Sequence, residues 1–363
     1  MRFAVLAHKL KNSKNANLQT FKLVLPPWSH LVHWKRRDAP EQIPWGLFFD
    51  LNSLKSFAPV IEMHEFFHAI NRTYNIVIDE VYILQHFEDM FETGNFEDRM
   101  KLEKCTKNYQ INYFFYKNIT SHNVKCLSYH GPATKLSKLL EKSPAKTILL
   151  HHAEVALHEM FGNALYWQSR RSMRFSKELH QVAADFRKKF LNSTDVLDNT
   201  KLPENWRDEK PKRSAKGGPY LSVHLRRRDF LRGRAHQTPS IESVAKQIVE
   251  LLKKLNLTQV FIATDATDDE YQELIKRIPT NYKILRYKAN SEVKMKYKDG
   301  GVAIIDQIIC SYARHFVGTY ESTFSFRIQE EREILGFPAK ATFNCLCKDE
   351  SECPQPSVWK IVY

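Results

Sequence analysis

Two glycine motifs that announce nucleotide binding are missing from this chain. No GxxxxGKS/T string occurs, which excludes a P-loop, and no GxGxxG occurs, so the dinucleotide fingerprint is absent. No apolar run approaches the roughly 18 residues that would span a bilayer, so no membrane span is expected. The opening stretch Met1 to Ala7 carries one charge at Arg2, but its apolar part is short and Lys9 and Lys11 follow at once. That does not read as a signal peptide. No C-x-x-C pair, RNP signature or zinc knuckle is found, and the basic residues are spread along the chain. The net charge of +14 therefore does not argue for a nucleic-acid partner. It leaves an acidic surface or a phosphorylated small molecule as candidates.

The 363 residues are 43% hydrophobic, enough for a large core and, by length, two domains. The segment Lys201 to Lys216 is polar, holds Pro203 and Pro211, and is the best linker candidate. In the first half, strands are expected at Phe21–Leu25, Pro59–Glu62, Ile76–Ile78, Val81–Leu84 and Thr147–Leu150. Helices are expected at His64–Ile70, Ala153–Phe161 and Ser172–Leu191. Phe3, Leu6, Ala7 and Leu10 have helical spacing with no room for a capping residue, which predicts a helix entered partway. Residues 85–130 read as polar, aromatic and irregular.

Beyond the linker, strands alternate with helices, which predicts an α/β fold with a parallel, doubly wound sheet. Gly217-Gly218 opens an apolar run that stops at His224-Leu225-Arg226-Arg227-Arg228-Asp229. A buried strand ending in Arg points forked donors at the carboxyl edge of its sheet, where ligands of open α/β folds sit. Asp229 reads as a brace for Arg226 or Arg228. Phe316–Thr319 is a strand leading through Ser322 and Thr323 to a helix start, a ready anion site. Asp306 sits on an otherwise apolar helix, Val302 to Ala313. It needs a specific partner there, either a base or ribose, or an Arg of its own domain. Together these predict an anionic, nucleotide-linked ligand at the sheet edge.

The competing signal is His64-Glu65-Phe66-Phe67-His68, an H-E-x-x-H match with two His on one helical face. No extension follows it, and a third zinc ligand could only be sought among Glu80, Glu88 and Glu92. His151, His152 and His158 read as a polar helix face. Cys345, Cys347 and Cys353 fit no common zinc spacing, and Cys347 to Cys353 reads better as a small disulfide-closed loop. Sequons stand at Asn71, Asn118, Asn192 and Asn256. With the cysteines they favour a lumenal or secreted protein whose targeting segment lies outside these residues.

At His224–Phe230, Phe261–Ala266, Tyr297–Gln307 and Ser322–Arg327 the chain resembles the GDP-fucose protein O-fucosyltransferases that act on thrombospondin type 1 repeats. Leu25–Trp28, Ile43–Trp45, Phe48–Leu51 and Arg170–Met173 agree, so the resemblance runs from about Leu23 to Tyr363. It implies a GT-B-like fold, with two Rossmann-like domains facing across a cleft: residues 1–205 on the acceptor side, and 206–363 binding GDP-fucose. It also implies inverting transfer of fucose to Ser or Thr of folded repeats, in the endoplasmic reticulum lumen, with no metal and no other cofactor. Carried over by motif, His224, Leu225 and Arg226 line the donor, with Arg226 facing the diphosphate. Asp306 holds the guanine end, and Ser322, Thr323 and Phe324 hold the phosphates and sugar. Cys105 with Cys126 and Cys347 with Cys353 are implied as disulfides, and Cys310 as a buried thiol. The family's general base is a glutamate in a Gly-rich loop before the first helix. No glycine precedes Gly46 and no acidic residue precedes Asp38. The first strand, the loop and the base are therefore expected upstream of Met1, and these 363 residues alone are expected to bind GDP weakly without measurable transfer. Two other readings stand beside this one: a catalytically inactive lumenal binding protein for cysteine-rich repeats, and an HExxH zinc peptidase.

Overall fold

A computed structural model describes residues 4–10, 20–28, 42–69, 76–111, 113–114, 116, 118–156, 162–348 and 353–363. The chain forms two compact units, residues 1–173 and 174–363. The basic patch at Lys35-Arg36-Arg37, the sequon Asn71 and His158 lie outside the described residues.

The first unit contains β1 (Ala4–Leu10), β2 (Thr20–Leu25), α1 (Leu51–Phe57), β3 (Val60–Glu62), α2 (Met63–Ala69), β4 (Ile76–Gln85) and α3 (Met90–Thr93). It continues with β5 (Arg99–Glu103), β6 (Ile119–His130), α4 (Leu136–Lys142), β7 (Thr147–His151) and α5 (Ala164–Ser172). Its seven-stranded sheet runs β3-β2-β1-β7-β4-β6-β5. The β4 strand is parallel to β6 and β7, whereas β1 is antiparallel to both β2 and β7.

Four expectations change here. Ala4 to Leu10 is a strand, not a helix; a short apolar run carries no period that separates the two, and pairing with β2 and β7 decides. The two expected strands at 76–84 are one, β4. The stretch taken as irregular holds β5 and β6. The β6 strand escapes notice because its middle is exposed: it buries Ile119 at its start and then Cys126, Leu127, Ser128 and Tyr129. Of the helix expected from Ala153, only a single 3-10 turn, Ala153–Ala156, is described.

The second unit begins before the expected linker. The expected helix 172–191 is broken after Ser172, and α6 (Lys177–Leu191) belongs to this unit rather than to a domain ending at residue 205. It buries Leu179, Ala183 and Leu191, and Gln259 donates from its amide to the Leu191 carbonyl (2.9 Å). Residues 201–216 pack onto the same unit: Trp206 is buried and Arg213 donates to Glu333 (2.8 and 2.6 Å) and to the Phe337 carbonyl.

Next come β8 (Gly218–Leu225), α7 (Arg228–Gly233), α8 (Ile241–Leu255), β9 (Gln259–Thr264) and α9 (Asp268–Arg277). Then follow β10 (Lys283–Leu285), α10 (Ser291–Ser311), β11 (Ala313–Val317) and α11 (Thr323–Leu335). The sheet order is β10-β9-β8-β11, every neighbour parallel. In chain order this is third, second, first, fourth, so the winding reverses between β8 and β11. That is a topological switch point. Gly217, at φ +73, has no room for a side chain: an added Cβ would lie 2.5 Å from the Ala313 carbonyl oxygen. The alternation along β8 divides its contacts. Leu221, Val223 and Leu225 enter the core under α8 and α9, while Tyr220 and Ser222 donate from the other face to the carbonyls of Ile309 and Cys310 on α10.

Both implied disulfides are formed, Cys105–Cys126 and Cys347–Cys353, and Cys310 and Cys345 are buried thiols. The second pairing excludes Cys347 and Cys353 as metal ligands. No described helix is long and apolar enough to cross a membrane.

Candidate functional site

Parallel pairing brings four strand ends to one edge of the second sheet. Arg226 follows β8, Asp265 follows β9, Arg286 follows β10, and Gly318-Thr319 follows β11. Each of the arginines at 226–228 has a different role there. Arg227 is buried and structural: it pairs with Glu270 and donates to the Pro239 carbonyl (2.6 Å), while its backbone N–H donates to Asp265 (2.7 Å). Arg228 is exposed and donates to the Asp265 carbonyl. Arg226 points its guanidinium along the edge, gripped bidentately by Asp229 (2.9 Å on each oxygen) and 3.7 Å from Asp265. Its side chain is 15% exposed. Asp229 is thus the brace expected of it.

The switch point itself is built from hydroxyls. Thr319, 8% exposed, donates its hydroxyl to the His224 carbonyl (2.8 Å) and accepts the Arg226 backbone N–H (3.0 Å). Its own N–H donates to the Ser325 hydroxyl oxygen (3.0 Å), and that oxygen lies 2.8 Å from His224 Nδ1. Gly318 permits this approach, since an added Cβ there would stand 2.6 Å from Ser325 Oγ. The far side of Gly318 is held by the segment that follows α11: its N–H donates to the Asn344 carbonyl (2.8 Å) and its carbonyl accepts from Leu346 (3.0 Å). His224 stacks on Phe324 with ring centroids 4.3 Å apart. Burial and then the Arg226 charge push the His224 imidazole down to about 3, so it is neutral at physiological pH. Leu225 is buried in the core and lends the site only its backbone.

The α11 helix starts here, at Thr323, where the sequence placed a helix start. Ser322 is buried at its N-cap but makes no side-chain cap, so the first-turn N–H groups are not covered by that hydroxyl. Thr323 is exposed beside it, and Phe324 is half-buried.

Asp306 lies on α10, one residue before Gln307, whose amide reaches the Phe324 carbonyl (3.5 Å). Among the described residues, Asp306 Oδ1 is sealed from solvent with no hydrogen-bond partner. Burial raises its carboxyl to about 8, and the Arg286 charge offsets only part of that rise. A buried carboxylate oxygen left without a donor is costly, so it marks a place where a ligand would supply one. The structure thus gathers His224, Arg226, Asp229, Ser322, Thr323 and Phe324 at one sheet edge, with Asp306 on the adjoining helix. Thr319, Ser325 and Arg286 were not singled out from the sequence. The only sign of the first two was a hydroxyl just past a strand and another in a helix's first turn.

The competing clusters do not assemble. His64, Glu65 and His68 are exposed on the seven-residue α2, and His64 pairs with Glu62 (3.1 Å). Glu80 is engaged by Tyr82, Ser143 and Lys125. Among the described residues, no group of three or more His, Cys, Asp or Glu side chains is placed to hold a metal ion. Of the sequons, Asn118 is exposed before β6. Asn192 and Asn256 are exposed left-handed caps of α6 and α8.

With this geometry in place, likeness to known proteins is informative. The family model for GDP-fucose protein O-fucosyltransferase matches residues 1–335. The chain is 43% identical to GDP-fucose protein O-fucosyltransferase 2 of Caenorhabditis elegans, across 100% of this chain and 86% of that protein. It is 44% identical to the Homo sapiens protein of the same name, across 94% and 81%. Among solved structures, POFUT1 in complex with GDP-fucose superposes with a TM-score of 0.55 at 17% identity, covering 89% of this chain and 88% of that one. POFUT1 in complex with GDP gives 0.55 at 18%, covering 86% and 87%. At such identity the structural likeness speaks for the fold, and the fold is GT-B-like.

Proposed function

This chain belongs to the GDP-fucose protein O-fucosyltransferase family, and on that premise we propose that it moves fucose from GDP-fucose to Ser or Thr hydroxyls of folded thrombospondin type 1 repeats. In this reading it works in the endoplasmic reticulum lumen, inverts the anomeric centre and uses no metal.

The observation that carries the donor half is the pairing of an uncapped α11 start with Arg226 at the switch point. GDP is the leaving group, so the bond from the fucose anomeric carbon to the β-phosphate oxygen breaks and negative charge grows on that phosphate. Arg226, the first-turn N–H groups of α11 and the hydroxyls of Ser322 and Thr323 stand ready to meet that charge. Fixed donors need no reorganisation as the charge develops, which is how they accelerate the step. Asp229 and Asp265 hold the guanidinium in place before the ligand arrives, and His224, being neutral, adds no competing cation. Guanine presents N–H donors on its pairing edge, and Asp306 Oδ1 is an acceptor without one. The acceptor hydroxyl attacks from the face opposite the departing phosphate and gives its proton to a general base, which inverts the centre.

Titration with GDP, GDP-fucose and ADP tests the donor assignment. The guanine nucleotides should bind at least about tenfold more tightly than ADP, which cannot offer Asp306 the same donors. Equal affinity for ADP, or no binding of GDP, overturns it. Fucose incorporation into a folded repeat but not a reduced one tests the acceptor, and unchanged transfer in a chelator tests the absence of a metal.

A further inference from the structure

We propose that Thr319 and Ser325 are positioning residues for the donor: a buried hydroxyl latch that fixes the Arg226 backbone and holds His224 with its proton on Nε2. This rests on the donor reading above. Thr319 closes three links at once. Its hydroxyl proton goes to the His224 carbonyl (2.8 Å), its hydroxyl oxygen takes the Arg226 N–H (3.0 Å), and its own N–H goes to Ser325 Oγ (3.0 Å). The two residues flanking Leu225 are thereby tied to β11 by a side chain, at the point where the backbone ladder between β8 and β11 stops at Val223 and Val317. Neither end of the latch reaches solvent freely, since Ser325 is 1% and Thr319 8% exposed.

The tautomer is part of the proposal. Ser325 Oγ accepts from Thr319 N–H and keeps one proton to give, which the latch directs to His224 Nδ1 at 2.8 Å. An Nδ1 that accepts leaves the ring proton on Nε2, which makes no hydrogen bond among the described residues. His224 thus presents a neutral N–H donor on the ring atom away from Ser325, with its ring face stacked on Phe324. The low basicity of the buried imidazole agrees with this. A valine at 319 keeps the shape and deletes both hydroxyl bonds, leaving a buried carbonyl and a buried N–H unmatched.

The test combines affinity, kinetics and the imidazole's own signature. Thr319→Val should weaken GDP about tenfold and raise the donor KM by a similar factor with a smaller change in kcat. Thr319→Ser should restore both to within about twofold, because the hydroxyl alone is required. Nitrogen-15 spectra of His224 should show the Nε2–H tautomer in the wild type and lose it in Ser325→Ala, a readout that mere packing would not move. If Thr319→Val fails to fold, the Ser325→Ala spectrum and GDP affinity decide alone. The latch is overturned if Thr319→Ser loses as much affinity as Thr319→Val, if Thr319→Val binds GDP like wild type, or if the wild-type ring carries its proton on Nδ1. Should the wild type itself fail to bind GDP, the donor reading falls first, and the tautomer measurement still reports on the latch.

Discussion

Glu80 in the first unit and Asp306 in the second are both acids largely withdrawn from water, yet they are treated oppositely. Glu80 takes hydrogen bonds from Tyr82 (2.5 Å), Ser143 (2.7 Å) and Lys125 (2.9 Å). Burial would raise it, but those bonds outweigh burial and hold its carboxyl below the usual range. Asp306 has an oxygen with no donor and is pushed up to about 8 by burial. The first is a structural tie between β4, β6 and the segment after α4. The second is a cost that a ligand's N–H donor would relieve. A buried acid with its partners in place reports on folding, and one without them reports on binding.

That contrast breaks most sharply at Arg226. Arg226→Ala should cost about 100-fold or more in GDP affinity by calorimetry, since it deletes the charged donor and strands Asp229 and Asp265. A variant with unchanged affinity would remove the diphosphate assignment. Next in size, Glu80→Gln should lower stability by about 2 kcal/mol in denaturant unfolding while leaving GDP affinity alone. Asp306→Asn should do the reverse, weakening GDP about tenfold with no loss of thermal stability. If the two variants behave alike, the distinction between them is wrong.

The pH dependence sharpens the same comparison. Asp306 must be ionised for both its oxygens to accept from the N–H donors of guanine, and in the free protein it is largely protonated below about 8. Binding therefore releases a proton, and GDP affinity should rise by up to tenfold per pH unit below about 8 and flatten above it. Asp306→Asn should abolish the slope in calorimetric titrations across that range. The Glu80 pKa is shifted the other way, and its contribution is likewise lost as pH falls. Its folded pKa is depressed, so its stabilisation is present at neutral pH, begins to decline below the unfolded value of 4.5, and is lost through the lower folded pKa. Smallest of all, His64→Ala on the exposed face of α2 should shift stability by less than about 0.5 kcal/mol and change no metal content by elemental analysis.

Part of the second unit was legible before its structure. Strands that alternate with helices admit few arrangements, so β8 lies where its apolar run puts it, while β11 starts three residues before the strand expected at Phe316–Thr319. The first unit was less legible. Its β1, β5 and β6 are short, half-polar or edge elements whose place rests on strand pairing, and local pattern carries no record of a partner. The domain break misled for a related reason. A polar, proline-bearing segment looks like a linker from composition, yet Arg213 and Trp206 anchor residues 201–216 to the second unit.

By itself the sequence determined that a strand ends in His224-Leu225-Arg226, that a helix starts near Ser322-Thr323, and that an acid rides an apolar helix at 306. Motif resemblance attached those to a donor. Only the tertiary structure decided what makes them one site. The winding reverses between β8 and β11, which sets Thr319 against the backbone of Arg226 and Ser325 against His224, while among the described residues no side chain is brought to Asp306 Oδ1. The physical reason is that a hydrogen bond or its absence depends on positions to a fraction of an ångström, contributed by residues about 90 to 100 apart in the chain. Composition and period determine which residues are available, and packing determines which of them meet.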